Sequence, residues 1–233
     1  MVPLRRLGAR TLFIGALIIL IGSELLLVWL WDQGDDAPLW LTLTFAPVFG
    51  ASFSVMYPVV PWLAMMILGW VFGEQLMRMQ HSSWSFQRLL VVSGLLALLC
   101  FLLIRVLDGY GNMFMYLEGN EVVHWLHVSK YPPSLAYTFL ELGLMAIMLA
   151  ALMRLEPIIG VRHSGPVLIF GQIALFFYLA HFGVLAVLSL VLNRGGLEKT
   201  YLFTLLVLIL LYPICCIYRT LKWRYPRSIL RFM

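Results

Sequence analysis

Charge is scarce in this chain. Of 233 residues only 12% are Asp, Glu, Lys or Arg, about half the share of an ordinary soluble domain. A soluble fold is excluded on that ground. Cysteine is scarcer still. Cys100, Cys215 and Cys216 all lie inside apolar runs, where no loop disulfide forms, so they report nothing about redox compartment. They read as packing or lipid-facing thiols. No Gly-rich phosphate loop is visible, and the first apolar run is followed by no small-residue cleavage site. The net charge of +5 does not point to nucleic acid, because its distribution along the chain has a better explanation.

What the chain has instead is length of apolar sequence. Hydrophobic residues make up 62%, gathered in runs near the ~20 residues that cross a bilayer. The expected fold is an all-α integral membrane protein, a single transmembrane domain over residues 1–233. About six spans fall near 11–31, 57–77, 88–107, 133–153, 166–192 and 200–218. Thr11 to Trp31 is too long for a signal-peptide core and reads as a retained helix.

Lysine and arginine then sort between two sides. Arg5, Arg6, Arg10, Arg78, Arg88, Arg154, Arg162, Arg219, Lys222, Arg224, Arg227 and Arg231 fall on one; Arg105, Lys130, Arg194 and Lys199 fall on the other. The positive-inside rule places both termini in the cytoplasm. The basic tail from Arg219 reads as a topology anchor touching anionic lipid. Two long loops, 32–56 and 108–132, then lie outside, and long loops in a compact chain carry function or cover something. The segment from Leu39 to Met56 is apolar but broken by Pro47 and Gly50. It reads as an interfacial or re-entrant piece.

Ionisable residues within spans are costly and mark cavities or pathways. Glu24, Glu141 and His181 lie ~10, ~12 and ~16 Å from the outer ends of their spans at a helix rise of ~1.5 Å per residue. They can line one outward cavity, or each can bond to a neighbouring helix. Glu74 is expected at the cytoplasmic surface. Arg105 offers a bidentate fork for carboxylate or phosphate; the competing reading is a snorkelling arginine paired with Asp108. Glu121, His124 and His127 share one side of a helical turn. That set reads as a surface amphipathic turn beside Trp125 rather than a metal site, for want of a fourth ligand. His81 and His163 read as loop residues.

Lys130-Tyr131-Pro132-Pro133-Ser134-Leu135 is the most informative stretch. Pro133 suits the first turn of a span. Free N–H groups at that helix start, the Lys130 charge and the Ser134 hydroxyl together form an anion-accepting mouth. Tyr57-Pro58-Val59-Val60-Pro61-Trp62 opens another span similarly. An interfacial proline and aromatic belt explains both equally.

These segments resemble one family. Tyr57-Pro-Val-Val-Pro-Trp62 with Leu68-Gly-Trp-Val-Phe-Gly73 is similar to the LYPLIPWIGVMALGYGFG-type segment of bacterial proteins related to heparan-α-glucosaminide N-acetyltransferase. Arg105 with Tyr110-Gly111 resembles the family's Arg…Asn-x-Tyr-Gly-Asp stretch, with Asp108 and Asn112 departing from it. Val128-Ser-Lys-Tyr-Pro-Pro-Ser-Leu135 resembles its Asn-Val-Thr-Lys-Tyr-Pro-Pro-Ser-Leu motif, with His127 at the asparagine. Phe170-Gly-Gln-Ile-Ala-Leu-Phe-Phe-Tyr-Leu-Ala-His181 is similar to Phe-Gly-Arg-Val-Pro-Leu-Phe-Phe-Tyr…His, with Gln172 and Ala174 at the arginine and proline. Order and spacing agree from about residue 12 to 220, covering the later part of the family fold. The family's N-terminal Arg-Gly-x-x…Asp-His signature, which includes its catalytic histidine, is not found here.

The resemblance implies a membrane acyltransferase that moves an acyl group from cytoplasmic acetyl-CoA or another acyl-CoA to a hydroxyl or amine of an extracytoplasmic glycan. His181 and Glu141 are the catalytic candidates. Arg105, Tyr110, Lys130, Tyr131 and Ser134 are the substrate-binding ones, and no metal is expected. Two other readings stand beside it: a non-catalytic membrane subunit derived from the family, with a protein partner or a second copy, and a small transporter with a polar path along Glu24, Glu141 and His181. The transporter lacks an inverted repeat or a broken-helix pair in the sequence. The bilayer, of a bacterial inner membrane, is the expected surrounding.

Overall fold

The computed structural model describes residues 7–31, 37–46, 48–49, 54–79, 83–160, 162–191, 196–225 and 227–228. It divides into two compact units, Met1–Leu155 and Glu156–Met233. Among the described residues five helices are long and apolar enough to cross a membrane, and a bent pair makes up to six. The chain is thus a multi-span helical membrane protein. Backbone polar groups in lipid must be satisfied within the segment, which is why uninterrupted apolar runs fold this way.

In the first unit α1 (Ala9–Leu30) packs along α3 (Val59–Arg78). Their shared core is Leu12, Ala16 and Leu20 against Ala64, Ile67, Leu68 and Val71. The apolar residues on their other sides, such as Ile14, Ile18 and Met66, are exposed and suit contact with lipid. Hydroxyls within spans bond back to their own helix: Ser23 donates to the Leu20 carbonyl at 2.9 Å and Ser93 to that of Leu90 at 3.2 Å. Such back-bonding removes an unpaired polar group from the hydrocarbon. Glu74 pairs with Arg78 one turn on.

α4 (Ser83–Leu107) and α6 (Leu135–Ile159) cross at two glycines. A Cβ on Gly94 would come within 2.9 Å of Ile147 Cγ1 and 3.1 Å of the Gly143 carbonyl; one on Gly143 would meet Leu98 Cγ at 2.9 Å and the Gly94 carbonyl at 3.1 Å. Small residues let the two backbones approach closely, the usual device of membrane helix pairs.

The stretch expected to be interfacial or re-entrant forms a short helix α2 (Leu39–Thr44) and a two-residue antiparallel ladder, β1 (Val48–Phe49) with β2 (Ser54–Val55). Pro47 and Gly50 lie outside the described residues, as do Arg5, Arg6, His81, Arg194 and Arg231. The second long loop carries one short helix, α5 (Val122–Leu126).

The second unit departs from expectation. The run 166–192 is not one straight span. It is α7 (Pro166–Gln172) and α8 (Ala174–Val191), bent by 102° at Ile173. A broken-helix pair is therefore present where the sequence showed none. α8 has 18 residues, about 27 Å at the helical rise, close to the ~30 Å hydrocarbon thickness. It can cross alone, with α7 turned across its end. α9 (Leu197–Arg224) packs against both. Arg219 fastens the bend by donating to the His163 carbonyl at 2.7 Å and to Gln172 Oε1 at 3.5 Å. Tyr212 donates to the Ser164 carbonyl at 2.7 Å, and Phe176 stacks on Tyr218 at 3.8 Å. Cys215 is buried in this core beside Ile169, Ile173 and Leu211, a packing role.

Candidate functional site at the loop face of the first unit

The loop between α4 and α6 is built around Arg105, which is 0% exposed. Its Nη1 donates to Asn112 Oδ1 and to the Met115 carbonyl, each at 2.9 Å. Its Nη2 donates to the carbonyls of His124 at 2.6 Å and His127 at 3.3 Å. A planar fork with fixed donors can gather four acceptors from three parts of a loop; an ammonium cannot. Arg105 neither snorkels nor makes an ion pair with Asp108. Asp108 instead accepts the Leu117 N–H at 2.8 Å. The fork offered to a substrate in the sequence reading is occupied by its own loop.

Glu24 is the second brace. It is 4% exposed, and its Oε1 accepts the Met113 N–H at 2.9 Å. Beside it Tyr110 donates to the Ile21 carbonyl of α1. Burial, with the Glu24 charge adding to it, raises the Tyr110 phenol above its ordinary range. The segment so held has a demanding backbone. Asp108, Met113 and Phe114 have φ of 45°, 47° and 64°, and Gly111 has 98°. Such left-handed residues persist only where surroundings over-determine them. Asn112, buried at 1%, completes the brace, and no sequence signal marked it. Met113, Phe114, Met115, Tyr116, Glu118 and His127 border an open cleft of about 340 Å³.

The helix start at Lys130–Leu135 also differs from expectation. α6 begins at Leu135, so Pro133 precedes the first turn rather than occupying it. Ser134, fully buried, is the cap: its Oγ accepts the Tyr137 N–H at 3.0 Å, as N-cap side chains do. Three further amides are also taken. Ser134 N–H donates to the Ser129 carbonyl at 3.0 Å, Ala136 N–H to Gly111 at 2.9 Å and Thr138 N–H to Ser134 at 2.9 Å. Of the expected anion mouth, the N–H groups of Ser134, Ala136, Tyr137 and Thr138 are thus spent inside the protein, as is the accepting Ser134 oxygen. Ser129 Oγ donates to the Pro132 carbonyl at 3.0 Å, and the Tyr131–Pro132 peptide is cis.

Lys130 and Tyr131 of this loop and Tyr57 from the segment before α3 form a strip of three side chains. The Tyr57 and Tyr131 hydroxyls lie 3.2 Å apart, with rings edge to face at 5.2 Å. Trp62 flanks Tyr57 at 5.2 Å. Lys130 is exposed, and its Nζ lies 5.2 Å from the Tyr131 ring centre. Hydrogen bonds from Tyr57 and then from Lys130 lower the Tyr131 phenol below its usual range. The bond to Tyr131 raises the Lys130 ammonium. In the sequence the Tyr57–Trp62 segment stands out as a second span opening, an interfacial belt and part of the family resemblance, with Tyr57 not among the site candidates.

The remaining candidates are placed separately. Glu141 is exposed on α6, one turn beyond Tyr137. His181 is half-buried on α8 in the second unit, with Nδ1 against the Tyr178 carbonyl of its own helix and its ring tilted against Phe182 at 4.1 Å. Glu121 stands at the start of α5, and His124 and His127 contribute their carbonyls to Arg105. Among the described residues no three His, Cys, Asp or Glu side chains gather as a metal site.

Compared with models of known families, with curated proteins and with solved structures, the chain matches none.

Proposed function

We propose that this chain is a membrane-embedded, acyltransferase-like protein, with the loop between α4 and α6 as its acceptor-facing side. The observation that carries the reading is the division of labour at that loop. Arg105, Glu24, Asn112 and Ser134 are consumed in holding it, while Lys130 and Tyr131 are held out from it and meet Tyr57 from the segment before α3. Sites held rigidly by a supporting shell are the arrangement that binding and catalysis require.

Two placements favour descent from the family similar to heparan-α-glucosaminide N-acetyltransferase. Its pattern has proline where this chain has Ala174, the first residue of α8. Proline is at home at that helical position. The Tyr-Pro-Pro-Ser-Leu motif coincides with the cap that starts α6. With both termini cytoplasmic, the loop is extracytoplasmic and the acyl donor, acetyl-CoA or another acyl-CoA, approaches from the opposite side. A bacterial inner membrane and a glycan acceptor complete the reading. Lys130 and Tyr131 receive the acceptor; Arg105, Tyr110 and Ser134 act through the loop they hold. His181, in the second unit, is the base candidate by ring chemistry alone: donation from Nδ1–H to the Tyr178 carbonyl leaves Nε2 able to take up a proton. Glu141, on α6, is the carboxylate candidate.

The test is acyl transfer by the reconstituted chain, read as release of CoA thiol with a sugar acceptor. Transfer is expected, with losses in Lys130→Ala and His181→Ala. Absence of both acyl-CoA binding and transfer sinks the reading. A non-catalytic subunit, alone or with a second copy, is the second reading, favoured by the internal use of Arg105 and Ser134. It predicts co-purification with a membrane partner.

A further inference from the structure

We propose that the Lys130–Tyr131–Tyr57 strip is a phosphate-binding site, so that the group recognised at this face is a phosphate held at the membrane surface. The inference rests on the acceptor-facing reading above for its role, and on three side chains for its chemistry.

The donors converge. Tyr57 and Tyr131 hydroxyls are 3.2 Å apart, and Lys130 Nζ lies 5.2 Å from the Tyr131 ring centre. One of the two phenols donates to the other. The exposed ammonium beside the Tyr131 ring carries three protons to offer a ligand. The charge is uncompensated: Lys130 makes no ion pair among the described residues, and the groups acting on it are the phenols of Tyr131, Tyr137 and Tyr57. A cation surrounded by neutral donors is a site for an anion.

Two further features select phosphate. The planar fork that recognises carboxylate, Arg105, is buried with both Nη groups taken by its own loop, and lysine binds phosphate as a point charge. Tyr57 and Tyr131 each precede a membrane helix, at Val59 and Leu135, with Trp62 beside them. Aromatic residues at helix ends lie at the headgroup level, the layer where lipid phosphates are found. The same chemistry serves a lipid headgroup or a water-soluble phosphate.

The experiment uses the full chain and two probes. In nanodiscs of phosphatidylcholine with phosphatidylglycerol, native mass spectrometry counts the anionic lipid retained. In detergent, binding of inorganic phosphate is measured by equilibrium dialysis. Tyr131→Phe and Lys130→Met are each expected to weaken binding by about tenfold, the loss of one hydrogen bond to a charged group. Lys199→Met, exposed on α9, is expected to leave it unchanged. Loss of phosphatidylglycerol retention identifies the headgroup as the source, and loss of inorganic phosphate binding identifies a soluble phosphate. Equal binding by the wild type and both variants, with either probe, overturns the proposal. Acyl transfer to a neutral sugar in the same preparations separates the two readings. Transfer without phosphate binding sinks this inference alone, and phosphate binding with neither acyl-CoA binding nor transfer sinks the acyltransferase reading alone.

Discussion

Arg105, in the last turn of α4, and Lys130, in the loop that follows, carry the same charge, yet the protein treats them in opposite ways. Arg105 is sealed in, with four carbonyl or amide oxygens on its fork. Lys130 is exposed, with phenols for company. Similar chemistry divides Glu24, buried against a backbone amide, from Glu141, exposed on α6. The difference separates residues that hold the loop from residues that the loop holds out. Residue type alone does not make that division. The burial of the head group does.

The comparison breaks most visibly at Arg105. Arg105→Ala leaves four acceptors without their donor and should cost about 3–5 kcal/mol, in the range of broken buried polar networks. Thermal unfolding in detergent checks it, and protease nicking of 108–132 should rise in parallel. Arg105→Lys should fail to restore stability, because three donors on a flexible stem cannot span the same four oxygens. Stability equal to wild type in either variant would remove Arg105 from the brace.

Next in size is Gly143→Leu. Its Cβ starts 2.9 Å from Leu98 Cγ and 3.1 Å from a backbone carbonyl, so α4 and α6 must separate, at about 1–3 kcal/mol. Gly111→Ala should follow at about 1–3 kcal/mol, with φ of 98° and Ile104 Cγ2 at 2.9 Å set against the strain scale of left-handed residues. Both are read from unfolding midpoints.

The smallest stability effect belongs to the presented strip. Tyr131→Phe and Lys130→Met should stay within about 0.5 kcal/mol of wild type, as exposed substitutions do, while ligand binding falls. A large loss of stability there would erase the distinction between brace and strip. Acidity sharpens it further. Tyr131 is lowered, so as pH rises its phenolate forms below the ordinary value of about 10; Lys130 is raised and stays charged longer. Anion binding should therefore begin to fall as Tyr131 ionises and end as Lys130 discharges. In Tyr131→Phe the residual binding should fall only at the lysine step. A titration of phosphate binding distinguishes the two curves.

The spans were legible because hydrophobic length leaves little choice in a bilayer. Ends shifted by a few residues, as at Pro58 and Ser134, where caps rather than hydropathy set the start. The bend at Ile173 was not legible. The run from Pro166 to Val191 stays largely apolar, with Gln172, His181 and Ser189 among its few polar residues, and the arginine that fastens the bend comes from α9, nearly fifty residues on. At the site, Lys130 and Tyr131 were found by their motif. The fate of Arg105 was hidden, since an arginine at a span end looks the same whether its partners are carbonyls of its own loop or a ligand. Asn112 carried no signal for the same reason.

α9 has 28 residues, about 42 Å of helix, and α8 has 18, about 27 Å. Two antiparallel neighbours of such unequal length cannot both match one ~30 Å hydrocarbon slab. The excess lies at the end where α7 turns and where Arg219, Lys222 and Arg224 gather. There α7 works as a collar. Its depth is set by Arg219, so a thinner bilayer would draw the collar toward the lipid headgroups, and a thicker one would pull the basic end of α9 inward against its own charge.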